Sequence, residues 1–402
     1  MLLNRERALA TMEAYGLDVL VATAPENTLY LSDYTREFPF LTIRDFHAVI
    51  FPRDDSIPPV LFVQEMEIPG FADEWPTWIR ELRVQTSGYV AIPDDLPGER
   101  DRRIAELMRE GRRRGGPHRL GLIVDTLKEL GLSDAAIGID EIHFKPLYEQ
   151  AGLDVSRVRD AGQVLREIRL VKTPDEVVRM RAATAALERS LLAVADMIGE
   201  GVTPAGIRTR FREEMLAQGG YGSQITWGGG ERAFNGERNF DYRYQEGDVV
   251  YVDPAGSLGH YWADCGRAAH IGSPTDKFTD HFGVLQELHA EIVPTFTPGE
   301  TFASIAERTH AAAAGRLPGS IFALNHSIGL EQYDHPHISD AFGGGNVTLE
   351  PGMTINFETG YMELGWGILH LEDTYLITAG APERLTTVPL TPIHELRAGS
   401  AA

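Results

Sequence analysis

Five residues in the C-terminal half of the sequence have charges that their apolar surroundings do not explain. Asp253 closes the phrase Val249-Val-Tyr-Val-Asp253, and Asp264 closes His260-Tyr-Trp-Ala-Asp264. Glu358 ends Met353-Thr-Ile-Asn-Phe-Glu358, Glu372 lies in Ile368-Leu-His-Leu-Glu-Asp373, and His326 in Asn325-His-Ser-Ile-Gly-Leu330. A charge inside an apolar strand needs a partner. Two such carboxylates side by side repel and raise a pKa, a penalty that a bound cation removes. Taken singly, a strand-end aspartate or a lone histidine is usually a satisfied hydrogen-bonding group. Together, four carboxylates and one imidazole form an oxygen-rich donor set that suits two divalent ions about 3.5–4 Å apart, bridged by carboxylates and a water. We therefore expect Asp253, Asp264, His326, Glu358 and Glu372 to form one metal site.

The elements that must position these residues are strands. After the turn 254–259 the chain returns through Asp264, so a hairpin can set Asp253 and Asp264 on one sheet face. Further strands are predicted at 223–227, 248–253 and 260–267, with a strand-rich section at 323–378. Four helices accompany them. One runs from Pro174 to about Ile198 behind the N-cap Thr173, and one from Pro204 to Ala217 behind Thr203; two more span about 275–294 and 301–314. Helices segregated from a mostly antiparallel sheet make an α+β domain over 166–402. Residues 1–165 alternate helix and strand, with strands at 18–23, 48–51, 60–63 and 137–140, as in an α/β layered domain. The basic helix 100–114 is diluted by Glu99, Asp101, Glu106 and Glu110 and reads as a solvated face.

Bulk properties narrow the function classes. A chain of 402 residues with 43% apolar content can bury two cores. The formal charge of -22 argues against nucleic acid and anionic membrane as partners, since both require a basic footprint. Cys265 is the only cysteine, which excludes an intrachain disulfide and makes a cytoplasmic location the default. Its strand position turns it away from Asp264, as a buried structural thiol. No secretory signal and no membrane span is expected.

The phrases Gly247-Asp-Val-Val-Tyr-Val-Asp253, Tyr261-Trp-Ala-Asp264-Cys-Gly-Arg267, His326-Ser-Ile-Gly-Leu330, Leu349-Glu-Pro-Gly-Met353 with Glu358, and Leu371-Glu-Asp-Thr374 resemble the pita-bread metallopeptidases. That family includes Xaa-Pro aminopeptidase, prolidase, methionine aminopeptidase and their non-peptidase relative creatinase. The resemblance spans residues 160–385 and extends loosely over 1–160 through a creatinase-type N-terminal domain. It implies a pita-bread catalytic domain in which Asp253 binds one ion, Asp264 and Glu372 bridge two, and His326 and Glu358 complete the second. It also implies Mn²⁺, Co²⁺, Zn²⁺ or Fe²⁺ as cofactor, a short-peptide or small-molecule substrate, and a homodimer.

Three positions depart from the pattern. Tyr333 stands where the peptidases carry a second histidine that contacts the substrate carbonyl. The loop phrase 234–239 lacks a histidine, and His370 replaces an arginine two residues before the last glutamate. Losing a carbonyl-polarising group costs roughly 2.7–4 kcal/mol if it acts as an oxyanion-hole donor. The phenol of Tyr333 could take over that role, and His370 should share a sheet face with Glu372. His335 and His337 either reach the substrate or sit in an exposed loop. Phe38, Phe40, Arg44 and Phe46 either close over a small acidic substrate or belong to an ordinary strand and loop.

Three readings of function follow. The first is a dinuclear hydrolase of Xaa-Pro peptides or dipeptides, with Glu358 assisting proton transfer and Tyr333 or His370 steadying the oxyanion. A second keeps the fold but acts as a small-molecule C–N hydrolase or lyase, resembling creatinase, ectoine hydrolase or dimethylsulfoniopropionate lyase. The third, a non-enzymatic binding scaffold, is disfavoured by the intact ligand set.

Overall fold

A computed structural model describes residues 1–35, 47–223, 225–230, 232–234, 241–337 and 346–396. The chain divides into two compact units, Met1–Arg169 and Leu170–Ala402. The helix Gly162–Arg169 thus closes the first unit, four residues beyond the boundary expected from sequence.

The first unit is built on a six-stranded sheet. Its strands are β1 (Val19–Ala22), β2 (Ala48–Pro52), β3 (Val60–Gln64), β4 (Glu81–Gln85), β5 (Ile137–Ile139) and β6 (Val158–Asp160), in the order β4-β3-β2-β1-β5-β6. β1 pairs antiparallel with β2 and parallel with β5. Val19, Val21, Ile50 and Phe62 pack with Ile123 and Leu127 of the helix Arg119–Glu129 in one core. That burial, both faces covered, explains why the central strands read as unbroken apolar runs.

The second unit has strands β7 (Tyr221–Gly222), β8 (Thr226–Gly229), β9 (Val249–Val252), β10 (Ala255–Leu258), β11 (Tyr261–Asp264), β12 (Arg267–His270), β13 (Ile321–Ser327), β14 (Asp334–His337), β15 (Thr354–Glu363), β16 (Gly367–Leu376) and β17 (Glu383–Arg384). They form sheets ordered β11-β10-β7, β12-β9-β8 and β14-β13-β15-β16-β17, each antiparallel. Helix Pro174–Ala195 starts at a capping box, with Thr173 accepting from Glu176 N and Glu176 accepting from Thr173 N. Phe278, Phe282, Leu285 and Leu288 of the helix Asp276–Ile292 lie on Leu369 and Leu371 of β16. Ile355 and Phe357 of β15 enter a second core with Phe296 and Phe302. Because strand side chains alternate, those apolar anchors leave Asn356, Glu358, His370 and Glu372 on the opposite face.

One expected turn is mostly strand. Residues 255–258 form β10, and the reversal is confined to Gly259 and His260, with φ of 56° and 72°. Positive φ at both positions is the two-residue hairpin turn whose twist matches its strands. Consequently β9 pairs with β12 rather than with β11.

Candidate metal centre

The five-stranded sheet supplies three of the five expected ligands in register. Glu358 of β15 lies directly opposite Glu372 of β16, and one row over Asn356 sits between His326 of β13 and Thr374 of β16. Directly opposed antiparallel residues share a face, so the pairing alone gathers these side chains. Asp264 ends β11 opposite Ala255, two residues beyond Asp253. Gly266 then ties this hairpin to β16: its N–H donates to Glu372 O at 3.1 Å, and Glu372 N–H donates back to Gly266 O at 3.0 Å.

All five side chains are buried, but unequally. Asp264, Glu372 and His326 expose 2% or less, whereas Asp253 and Glu358 each keep 8%. Asp253 Oδ2 accepts from the Tyr251 hydroxyl at 2.8 Å. Asp264 Oδ2 accepts from Gln332 Nε2 at 3.1 Å, and Glu372 Oε1 from Asn356 Nδ2 at 2.9 Å. Asn356 is itself oriented by the Thr374 hydroxyl on its Oδ1. His326 Nδ1 is 2.9 Å from Ser327 O, so donation there leaves Nε2 as the lone-pair nitrogen. That nitrogen lies 3.7 Å from Glu372 Oε1.

The remaining oxygens are what call for a cation. Asp264 Oδ1 and Glu372 Oε2 are buried without a hydrogen-bond partner. Burial pushes both carboxyls well above the usual range. The Asp253 and Glu358 charges push Asp264 further up, and those of Asp264, Glu358 and Asp253 do the same to Glu372. Asp253 is close enough to each that a shared proton would make a hydrogen bond; as carboxylates they have no donor to offer. One ligand atom each from Asp264, His326 and Glu372 lies within 4.8 Å of the others, and so does a second set from Asp253, His370 and Glu372. Oxygen-rich donors with imidazole fit borderline divalent ions.

Around this set, Tyr333 lies over His326 with ring centroids 4.5 Å apart and is 52% exposed. Partial desolvation of the phenol on the site side, reinforced by the Asp264 and Asp253 charges, holds it protonated far above neutrality. His370 is fully buried, stacks on Tyr251 with centroids 4.7 Å apart, and brings Nε2 to 3.1 Å from Glu358 Oε1. His335 is 5% exposed, which removes the exposed-loop alternative for that residue. His337 pairs with His326 in the ladder, and only its backbone is described. Phe38, Phe40, Arg44, Phe46 and residues 235–239 fall outside the described residues. Cys265 is buried, and burial pushes its thiol up.

Sequence reasoning missed Tyr251, Gly266, Gln332, Asn356 and Thr374. Three of them had a usable signal: Tyr251 and Asn356 each precede a carboxylate by two residues, and Thr374 follows one by two, so all three share its face. Gln332 had none, since only the turn after β13 brings it to Asp264.

This architecture is that of the pita-bread metallohydrolases. Solved structures of similar fold include the prolidase of Pyrococcus horikoshii (TM-score 0.72, 19% identity, covering 96% of this chain and 99% of that one). The dipeptidase PepE of Mycobacterium ulcerans is comparable (TM-score 0.71, 22% identity, 96% of each chain). The chain belongs to metallopeptidase family M24, whose profile matches residues 178–379, and it is a metal-dependent hydrolase. Among its relatives, the probable dipeptidase PepE of Mycobacterium tuberculosis is 28% identical over 263 residues, covering 63% of this chain and 67% of the relative. The Xaa-Pro dipeptidase of Pyrococcus furiosus is 26% identical over 239 residues, 58% of this chain and 68% of that protein. No helix among the described residues is long and apolar enough to cross a membrane.

Proposed function

We propose that the protein hydrolyses the peptide bond of a short Xaa-Pro-type peptide or dipeptide at a dinuclear centre held by Asp253, Asp264, His326, Glu358 and Glu372. The observation that carries this reading is the position of Glu372, common to both ligand groupings and with one buried oxygen lacking a hydrogen-bond partner. A carboxylate shared by two groupings is what a bridging ligand requires. When bound, divalent ions of Mn, Co, Zn or Fe polarise a carbonyl and lower the pKa of a water.

The chain's own residues do the rest. Asp253 and Glu358 keep the most exposure of the set, which marks the side from which substrate arrives. There Glu358 moves the proton between water and leaving amine. Tyr333, exposed and held protonated, donates to the developing oxyanion in place of the usual histidine. Of the two, we assign substrate contact to the exposed Tyr333 ahead of the buried His335. The relatives named as dipeptidases support a short peptide as substrate class.

The tyrosine and the buried histidine at 333 and 370 also favour a second reading, hydrolysis or lysis of a small C–N compound at the same centre. Metal analysis of the purified protein, paired with turnover of Gly-Pro, Ala-Pro and a panel of small amides, tests both. Dipeptide turnover without small-amide turnover supports the first; the converse replaces it with the second. We further propose a cytoplasmic homodimer. A monomeric mass in sedimentation overturns the assembly, and recovery from an extracellular fraction overturns the location.

A further inference from the structure

We propose that His370 is a sixth metal ligand, binding through Nε2 the ion that Asp253 and Glu372 hold. This rests on the reading of a metal centre given above and adds a nitrogen donor to it.

The geometry is specific. A ring nitrogen of His370, a carboxylate oxygen of Asp253 and one of Glu372 lie within 4.8 Å of one another, and Nε2 is the nitrogen that faces the carboxylates. A single ion with bonds of about 2.0–2.2 Å closes such a triangle with small side-chain movements. Nε2 is 3.9 Å from Glu372 Oε2, the carboxylate oxygen that also lacks a hydrogen-bond partner. It lies 3.1 Å from Glu358 Oε1, near enough to donate there if it carries a proton; as a bare lone-pair nitrogen it is buried with no donor facing it, in a nest of carboxylates. An unsatisfied buried nitrogen there costs stability unless something electropositive sits between it and the oxygens.

The ring is also held in place as a ligand should be. Tyr251 stacks on it at 26° between planes, and the same Tyr251 donates its hydroxyl to Asp253 Oδ2. One tyrosine thus sets two of the three donors of the proposed ion, His370 and Asp253. On another side the ring lies so close to Gly266 that a Cβ there would overlap it. The competing use of His370 is a proton held between Nε2 and Glu358, which would make it a buried imidazolium and no ligand.

The test is a count of metal-bound imidazoles. Full-length protein is stripped with a chelator and reloaded with Co²⁺, and proton NMR is used to find exchangeable imidazole N–H resonances shifted far outside the normal range. We expect two in the native protein, one lost in His370→Gln and the other in His326→Gln. A single shifted resonance that survives His370→Gln and disappears in His326→Gln overturns the proposal and leaves the metal centre intact. A native protein that takes up no Co²⁺ sinks the centre and this ligand together. Should His370→Gln fail to fold, the native count decides with His335→Gln as control. Two resonances in both supports His370, and a fall to one in His335→Gln overturns it.

Discussion

Gly266→Ala isolates how tightly the site is built. The φ of Gly266 is not left-handed, so alanine meets no backbone penalty and the effect is steric. A Cβ would fall 2.9 Å from His370 Cγ and closer still to Cε1 and Nδ1, inside the 3.0 Å that real Cβ atoms respect. The ring has little room to retreat, being fully buried and stacked on Tyr251. Nor can the backbone shift freely, because Gly266 exchanges two hydrogen bonds with Glu372. Overpacking costs about 1–3 kcal/mol, and losing one of those hydrogen bonds adds about 1 kcal/mol. The expected destabilisation is thus about 2–4 kcal/mol, a fall of about 4–16 °C in Tm for a unit of this size. A double-mutant cycle provides the decisive assay, by chemical denaturation of the native, Gly266→Ala, His370→Ala and doubly substituted proteins. With the imidazole gone, Gly266→Ala should cost under about 1 kcal/mol, a coupling of about 1–3 kcal/mol. Equal cost in both backgrounds would refute the argument that these two residues are in steric register.

Four further expectations follow from the same structure. Asp373 is fully buried against Arg267, whose guanidinium also donates to the carbonyls of Gly266, Glu372, Val388 and Pro389, so Asp373→Asn should cost about 3–5 kcal/mol in urea unfolding; a cost under 1 kcal/mol would contradict a buried pair. Burial pushes the Glu176 carboxyl up to about 7 from its ordinary 4.5, against the opposing pull of Lys172. The folded state then holds this proton more tightly than the unfolded one, so this group's contribution to stability is fully present below pH 4.5 and is lost, by about 3 kcal/mol, as pH rises through 7; Glu176→Gln should flatten that slope, and parallel pH profiles would count against it. Tyr333→Phe should lower kcat about 10²–10³-fold with little change in KM, whereas a KM effect alone would make the phenol a binding group. Chelation should lower the Tm by about 5–11 °C relative to protein in ions at a hundredfold Kd, with recovery on reloading, and no shift would speak against a resident ion.

Period-two alternation made much of the site legible before any fold was in hand. Apolar residues at 355, 357, 369 and 371 commit one face of β15 and β16 to the core, so Glu358, Glu372 and His370 had to share the other. Helix starts were equally plain, because Thr173, Thr203, Thr275 and Thr301 cap the next helix through their own hydroxyls. The hairpin between Asp253 and Asp264 was misjudged in extent, since residues 255–258 lack the apolar run that marks a strand.

What the sequence supplied by itself was the expected donor set, Asp253, Asp264, His326, Glu358 and Glu372, in that order and at steps of 11, 62, 32 and 14 residues. Those are properties of residue type and local period, and they need no long-range contact. Only the tertiary structure decided which oxygens go unpartnered, that Asn356 steers Glu372, that Gln332 reaches Asp264, and that His370 lies among carboxylates. Each of those depends on which strand lies beside which. Pairings between residues as far apart as Gly266 and Glu372 are selected by the packing of whole elements, which no local pattern encodes.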